Sequence, residues 1–196
     1  MSTSPEALLP NRRLPGDLAM WWFILAEITL FSILILAFAI TQRLQPALFA
    51  AGRQALDASM GLALTLSLLT SGLLVALAVT RVRQARAGVS ALLLAALGSA
   101  CVYVWLKLSE YAHLLALGLD VEHDTFFTLY WLLTGLHFLH VLLGLVIIAW
   151  MAVRAWRGGY HAGNCSGLES GALYWHMVDL VWVLLFPLVY LIEAGP

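Results

Sequence analysis

The chain has 196 residues, 62% of them hydrophobic and only 11% charged, and a formal net charge of -1. A mean hydropathy of +0.91 is more apolar surface than a soluble domain of this length can hide from water, so the chain reads as a membrane protein. The near-neutral charge excludes nucleic acid as a partner.

A spanning helix needs about 20 mostly apolar residues. That template fits five times, predicting an all-α polytopic bundle that occupies 1–196 as one transmembrane domain. The leader has prolines at 5, 10 and 15 and no short apolar core, so no cleavable signal is expected before the first span, 19–41. That span contains "WWFILAEITLF" and a single carboxylate, Glu27. The second, 58–80, is uncharged but rich in small residues, Gly61, Thr65, Ser67, Ser71 and Gly72, which predicts close helix contact. The third, 91–117, contains "KLSEYA", where Lys107 and Glu110 are i, i+3 neighbours able to neutralise one another near the outer surface. The fourth, 125–153, contains "TGLHFLHVLLG": His137 and His140 bracket its centre, and Gly144 continues their stripe with a surface that another backbone can approach. The fifth, 172–192, contains "YWHMVDLVW", with His176 and Asp179 at the same spacing, followed by Pro187, which leaves the Val183 carbonyl free. Trp21, Trp22, Trp150, Trp156 and Trp175 lie near span ends and read as interfacial anchors.

Charge sets the expected orientation. "RVRQARAG" (Arg81 to Gly88) and the segment with Arg154 and Arg157 are basic, whereas "GLDVEHD" (Gly118 to Asp124) is acidic. The positive-inside bias puts the first two in the cytoplasm, together with an N-terminus that carries Arg12 and Arg13, and leaves the end from Glu193 to Pro196 outside. The segment from Gln42 to Asp57 dissents, since it belongs outside yet contains Arg43 and Arg53.

Ionisable residues inside spans are costly and mark either buried pairs or function. At ~1.5 Å of rise per residue, Glu27, His137, His140, His176 and Asp179 share a layer roughly 10 Å deep on the cytoplasmic side of centre, and are expected to form one buried polar network. Three histidines and two carboxylates also suffice chemically for a metal, and histidines on two spans for a haem. The Glu-x-x-His pairs of bundle metal sites and the "CxxCH" of attached haem are missing, and Cys101 and Cys165 imply no disulfide. A packing network therefore ranks ahead of proton or ion conduction, and both ahead of a metal or haem.

"WWFILAEITLF", "TGLHFLHVLLG" and "YWHMVDLVWVLLFPLVY" resemble, in order, the first, fourth and fifth helices of the short, five-helix form of subunit III of haem-copper oxidases. "LPGDLAMWWFILAE", "KLSEYA" and "ESGALYWHMVDLVW" most resemble the NorE branch, the subunit-III-like proteins of bacterial nitric oxide reductase systems. The resemblance implies an accessory subunit of the bacterial inner membrane that carries no haem or copper, binds phospholipid in a cleft, and packs beside a haem-copper catalytic subunit, here a nitric oxide reductase. It implies that Glu27 is the buried carboxylate of the lipid-facing unit, and that His137, His140, His176 and Asp179 occupy polar positions of the second bundle. The two additional N-terminal helices of long members are lacking. Subunit III of an oxygen-reducing oxidase is the alternative partner reading, and a free-standing ion or small-molecule carrier the alternative of another class. The paired broken helices typical of transporters are missing, which counts against the carrier.

Overall fold

A computed structural model describes residues 18–161 and 165–192. The prolines at 5, 10 and 15, Arg12, Arg13 and the end from Glu193 to Pro196 lie outside the described residues. Among those described, the elements are helices with no β-strand: α1 (Leu18–Leu44), α2 (Pro46–Arg53), α3 (Ala58–Arg83), α4 (Val89–Ala116), α5 (Thr125–Trp156) and α6 (Ser166–Phe186), which runs into a wide π-type turn, Pro187–Leu191. All but α2 are long and apolar enough to cross a membrane. Helices suit that solvent because they satisfy their backbone groups internally.

Polar residues punctuate the chain where water is available. Asp57 and Asp124 cap α3 and α5, accepting hydrogen bonds from the backbone N–H of Ser59 at 2.8 Å and of Phe127 at 2.9 Å. Gly118 and Gly158, both at φ +73°, end α4 and α5 in the left-handed conformation that a side chain would strain. In each case the next N–H returns to a carbonyl of the last turn, Leu119 to Leu114 at 3.0 Å and Gly159 to Arg154 at 2.9 Å.

α3 and α4 pack along their length, α4 against α5, and α6 between α3 and α5, while α1 lies across α6 and α5. The small residues of α3 do what their spacing predicts. Ser71 Oγ donates to the Ala96 carbonyl at 2.8 Å, and Ser99 Oγ donates to the Ser67 carbonyl at 2.7 Å, both across the α3/α4 seam. Gly144 holds the Trp175 ring so close that a Cβ there would lie 2.5 Å from it. Trp175 is thus fully buried, correcting its reading as an interfacial anchor; Trp22, Trp150 and Trp156 remain exposed.

The segment from Gln42 to Asp57 contains α2, and one of its two arginines, Arg53, has a structural task. Pro187 and the wide turn after it leave carbonyls outside the regular ladder. Gln42 Nε2 donates to the Ile192 carbonyl at 2.8 Å, and Arg53 Nε, at the end of α2, donates to the Val189 carbonyl at 3.2 Å. Arg53 thereby supplies a donor to a backbone carbonyl of the turn, a task separate from any orientation signal.

Candidate functional site

Lys107 and Glu110 are buried inside the bundle, with residue exposures of 0% and 7%. One α4 turn brings Nζ within 2.6 Å of Glu110 Oε2, and Tyr130 of α5 and Tyr190 of the wide turn each accept from the same nitrogen at 3.1 Å. All three ammonium N–H groups are thereby used. Tyr190 also donates to Glu110 Oε1 at 2.7 Å, closing a ring of hydrogen bonds. The faces of Tyr111, Tyr130 and Trp182 surround the cation at 4.9 to 5.3 Å from their centroids. No sequence motif announced Tyr130 and Tyr190, although hydroxyls inside two spans at the outer depth of Lys107 were a usable signal.

The five residues expected to form one network fall into three separate environments. His140 faces α1, where its Nε2 lies 3.0 Å from Glu27 Oε2 and its Nδ1 lies 2.8 Å from the Leu136 carbonyl. Since a carbonyl only accepts, Nδ1 carries a hydrogen, and the Nε2–Oε2 contact must hold a second one. His137, three residues earlier and therefore turned about 60° around the helix, faces inward instead. It stacks on Trp182 with centroids 5.2 Å apart and meets the edges of Tyr103 and Phe31, and neither of its nitrogens has a hydrogen-bond partner among the described residues. Phe31 separates the two histidines, lying edge-on to both.

His176 and Asp179 lie on the opposite side of α6, toward α3. The Asp179 carboxylate fills the space where a side chain at Gly72 would begin. His176 Nδ1 is 3.8 Å from Asp179 Oδ2, too long for a hydrogen bond, and the His176 side chain is 43% exposed. At the arginine end of the same helix pair, Arg83 bonds Glu169 at 2.8 Å, and Cys165 Sγ donates to that carboxylate at 3.3 Å. Burial, with the neighbouring Glu169 carboxylate, pushes the Cys165 thiol above its usual range.

No three His, Cys, Asp or Glu side chains among the described residues converge closely enough to hold a metal ion. Among the described residues the arrangement offers paired polar groups and packing surfaces.

A family model described as cytochrome c oxidase subunit III matches residues 16–194. The "Heme-copper oxidase subunit I+III" of Aeropyrum pernix is 30% identical over 89% of this chain, which spans 22% of that longer protein. The "Probable quinol oxidase subunit 3" of Staphylococcus aureus is 30% identical over 90% of this chain and 89% of its own length. The "Cytochrome bo(3) ubiquinol oxidase subunit 3" of Pseudomonas aeruginosa is 32% identical over 47% of this chain and 44% of its own. With a family match over nearly its whole length and five apolar helices in one bundle, the chain belongs to the cytochrome c oxidase subunit III family.

Proposed function

We propose that the chain is a non-catalytic accessory subunit of a haem-copper membrane complex. It crosses the bacterial cytoplasmic membrane several times, with the arginine segments inside and the acidic loop outside. The observation that carries the reading is the family match over residues 16–194. The Aeropyrum pernix relative, named as subunits I and III in one protein, supports a place beside a subunit-I-type partner. Phospholipid lies against the α1 face in this reading. There α1 buries only Ile24, Phe31, Phe38 and Gln42, and the Glu27–His140 pair keeps 17% and 13% of its side-chain exposure.

The finer reading is a nitric oxide reductase partner, in which two NO, two electrons and two protons give N2O and water on the catalytic chain. Its support is the NorE resemblance of "LPGDLAMWWFILAE", "KLSEYA" and "ESGALYWHMVDLVW". A second reading, an oxygen-reducing quinol or cytochrome oxidase, is favoured by the printed names of the relatives. Affinity purification of the tagged chain from native membranes tests both. Recovery of a haem-bearing polypeptide that turns over NO is the expected result; one that consumes O2 only selects the second reading. The chain purified alone is expected to show no haem absorbance, and a bis-histidine spectrum lost on His140→Ala would overturn the accessory reading.

A further inference from the structure

We propose that the Lys107–Glu110 pair is a proton-exchange site, open to water where α3 begins and α4 ends, and that protonation of Glu110 loosens the Pro187–Leu191 turn from α4. This role is independent of which complex the chain serves.

Glu110 belongs to two surroundings at once. Inside the bundle its carboxylate accepts from Lys107 Nζ at 2.6 Å and from the Tyr190 hydroxyl at 2.7 Å. It also lines a cavity of about 260 Å³, together with Gln54, Asp57, Ser109 and His113. Several waters fit in that volume, at a liquid share of about 30 Å³ each, and the lining offers the polar partners they need. Glu110 lies roughly 9 Å inside the end of α4 at Ala116, so the cavity carries water to a carboxylate within the span. A pair kept only for packing needs no such access. His113, one turn nearer the end of α4, is exposed and can pass a proton between bulk water and the cavity.

Inward the route stops. Tyr103, one turn deeper on α4, packs with His137 and Trp182 ring against ring, each at most 1% exposed. Neither His137 nor the Tyr103 hydroxyl has a hydrogen-bond partner among the described residues. The pair therefore exchanges protons with one aqueous phase and does not form a channel to a second.

The groups around Glu110 set the consequence of proton uptake. They are Lys107, Tyr111 and His113 on its own helix, Tyr130 of α5, Tyr190 of the wide turn and Asp57 at the start of α3, while Arg53 of α2 reaches the same turn at Val189. Before uptake the donors and acceptors match: three ammonium N–H groups meet Oε2 and two tyrosine oxygens, and the Tyr190 hydroxyl meets Oε1. When Oε1 takes a proton from hydronium in the cavity, water is released and the carboxylate becomes an acid. One donor is then left over, and the Tyr190 bond loses the ionic character that strengthens it. Lys107 stays charged, held by the rings of Tyr111, Tyr130, Trp182 and Tyr190 at 4.9 to 5.7 Å.

A water-soluble carbodiimide with an amine nucleophile tests the site in native membranes, since it joins a protonated carboxyl group to the amine as an amide and leaves as a urea. Applied to each face of sealed vesicles, it is expected to label Glu110 from the face where α3 begins and not from the arginine face, and faster as the pH of the first face falls. Asp57, exposed at the same end, is the positive control. Ala55→Trp, which fills the cavity from its wall, is expected to suppress labelling of Glu110 and not of Asp57. The Ile192 N–H, which donates to the Pro187 carbonyl at 2.8 Å, reports on the turn. Its hydrogen-exchange protection, corrected for the pH dependence of free-peptide exchange, is expected to fall roughly tenfold as Glu110 is protonated. Glu110→Gln is expected to show the lower protection at every pH; if that variant does not fold, the pH series on the native chain decides alone. Equal labelling from both faces, labelling by a hydrophobic carbodiimide only, or none in the folded chain would overturn the exchange site. Unchanged Ile192 protection while Glu110 is labelled would overturn its coupling to the turn.

Discussion

Tyr190 bonds both members of the Lys107–Glu110 pair, accepting from Lys107 Nζ at 3.1 Å and donating to Glu110 Oε1 at 2.7 Å. The Pro187–Leu191 turn is thereby locked to the C-terminal third of α4. A fully buried pair of this kind is more sensitive to the loss of one partner than to the loss of both, because a single remaining charge has no compensation. Lys107→Met or Glu110→Leu alone is expected to cost about 3–5 kcal/mol. The double variant should cost less than the sum of the two, measured by reversible unfolding in mixed micelles.

The Glu27–His140 contact holds a shared hydrogen, and a side chain able to donate one should replace the carboxyl group. Glu27→Gln keeps a donor facing His140 Nε2 and is expected to change stability by less than about 0.5 kcal/mol. Glu27→Leu leaves that nitrogen without its partner and should cost about 1–2 kcal/mol, toward the low end because the pair is partly exposed. Melting temperatures of the two variants in detergent check the order. Equal losses would mean that shape, and not the hydrogen bond, holds α1 to α5.

At Gly72 the constraint is steric, since a methyl group would enter the space taken by the Asp179 carboxylate. Gly72→Ala is expected to destabilise the isolated chain by about 1–3 kcal/mol. Combining it with Asp179→Ala should recover part of that loss, and a double-mutant cycle on unfolding free energies measures the coupling.

The α3 cap should respond to acid. Hydrogen bonds from the Ser59 hydroxyl and backbone N–H hold the Asp57 carboxyl below its ordinary 3.8. Because the folded value is the lower one, the contribution of Asp57 is complete above about 3.8 and is lost as pH falls through the folded value. Hydrogen exchange at the first turn of α3 is expected to accelerate in that window in the native chain. Asp57→Ala should exchange fast at every pH, whereas Asp57→Asn should retain the cap without the pH dependence.

The sequence by itself determined how many helices are long and apolar enough to cross a membrane, their order, and the position of each ionisable group along its helix, because apolar length and a fixed rise per residue settle those quantities along each helix axis. It also contained the α3 stripe of small residues and the three long segments that carry the family resemblance. Rotation about each axis was another matter. His137 and His140 share a depth but differ by about 60° in direction, so one packs on Trp182 and the other meets Glu27. His176 and Asp179 lie near the same level and face α3. Equal depth therefore suggested a single network where the bundle makes three environments. Arg53 and Trp175 follow the same logic: their types signal an interface, but the Val189 carbonyl and the cleft at Gly144 decide what they touch. Only packing among neighbouring helices fixes azimuth, since it depends on which side chains of other helices fill each groove, information that no single segment contains.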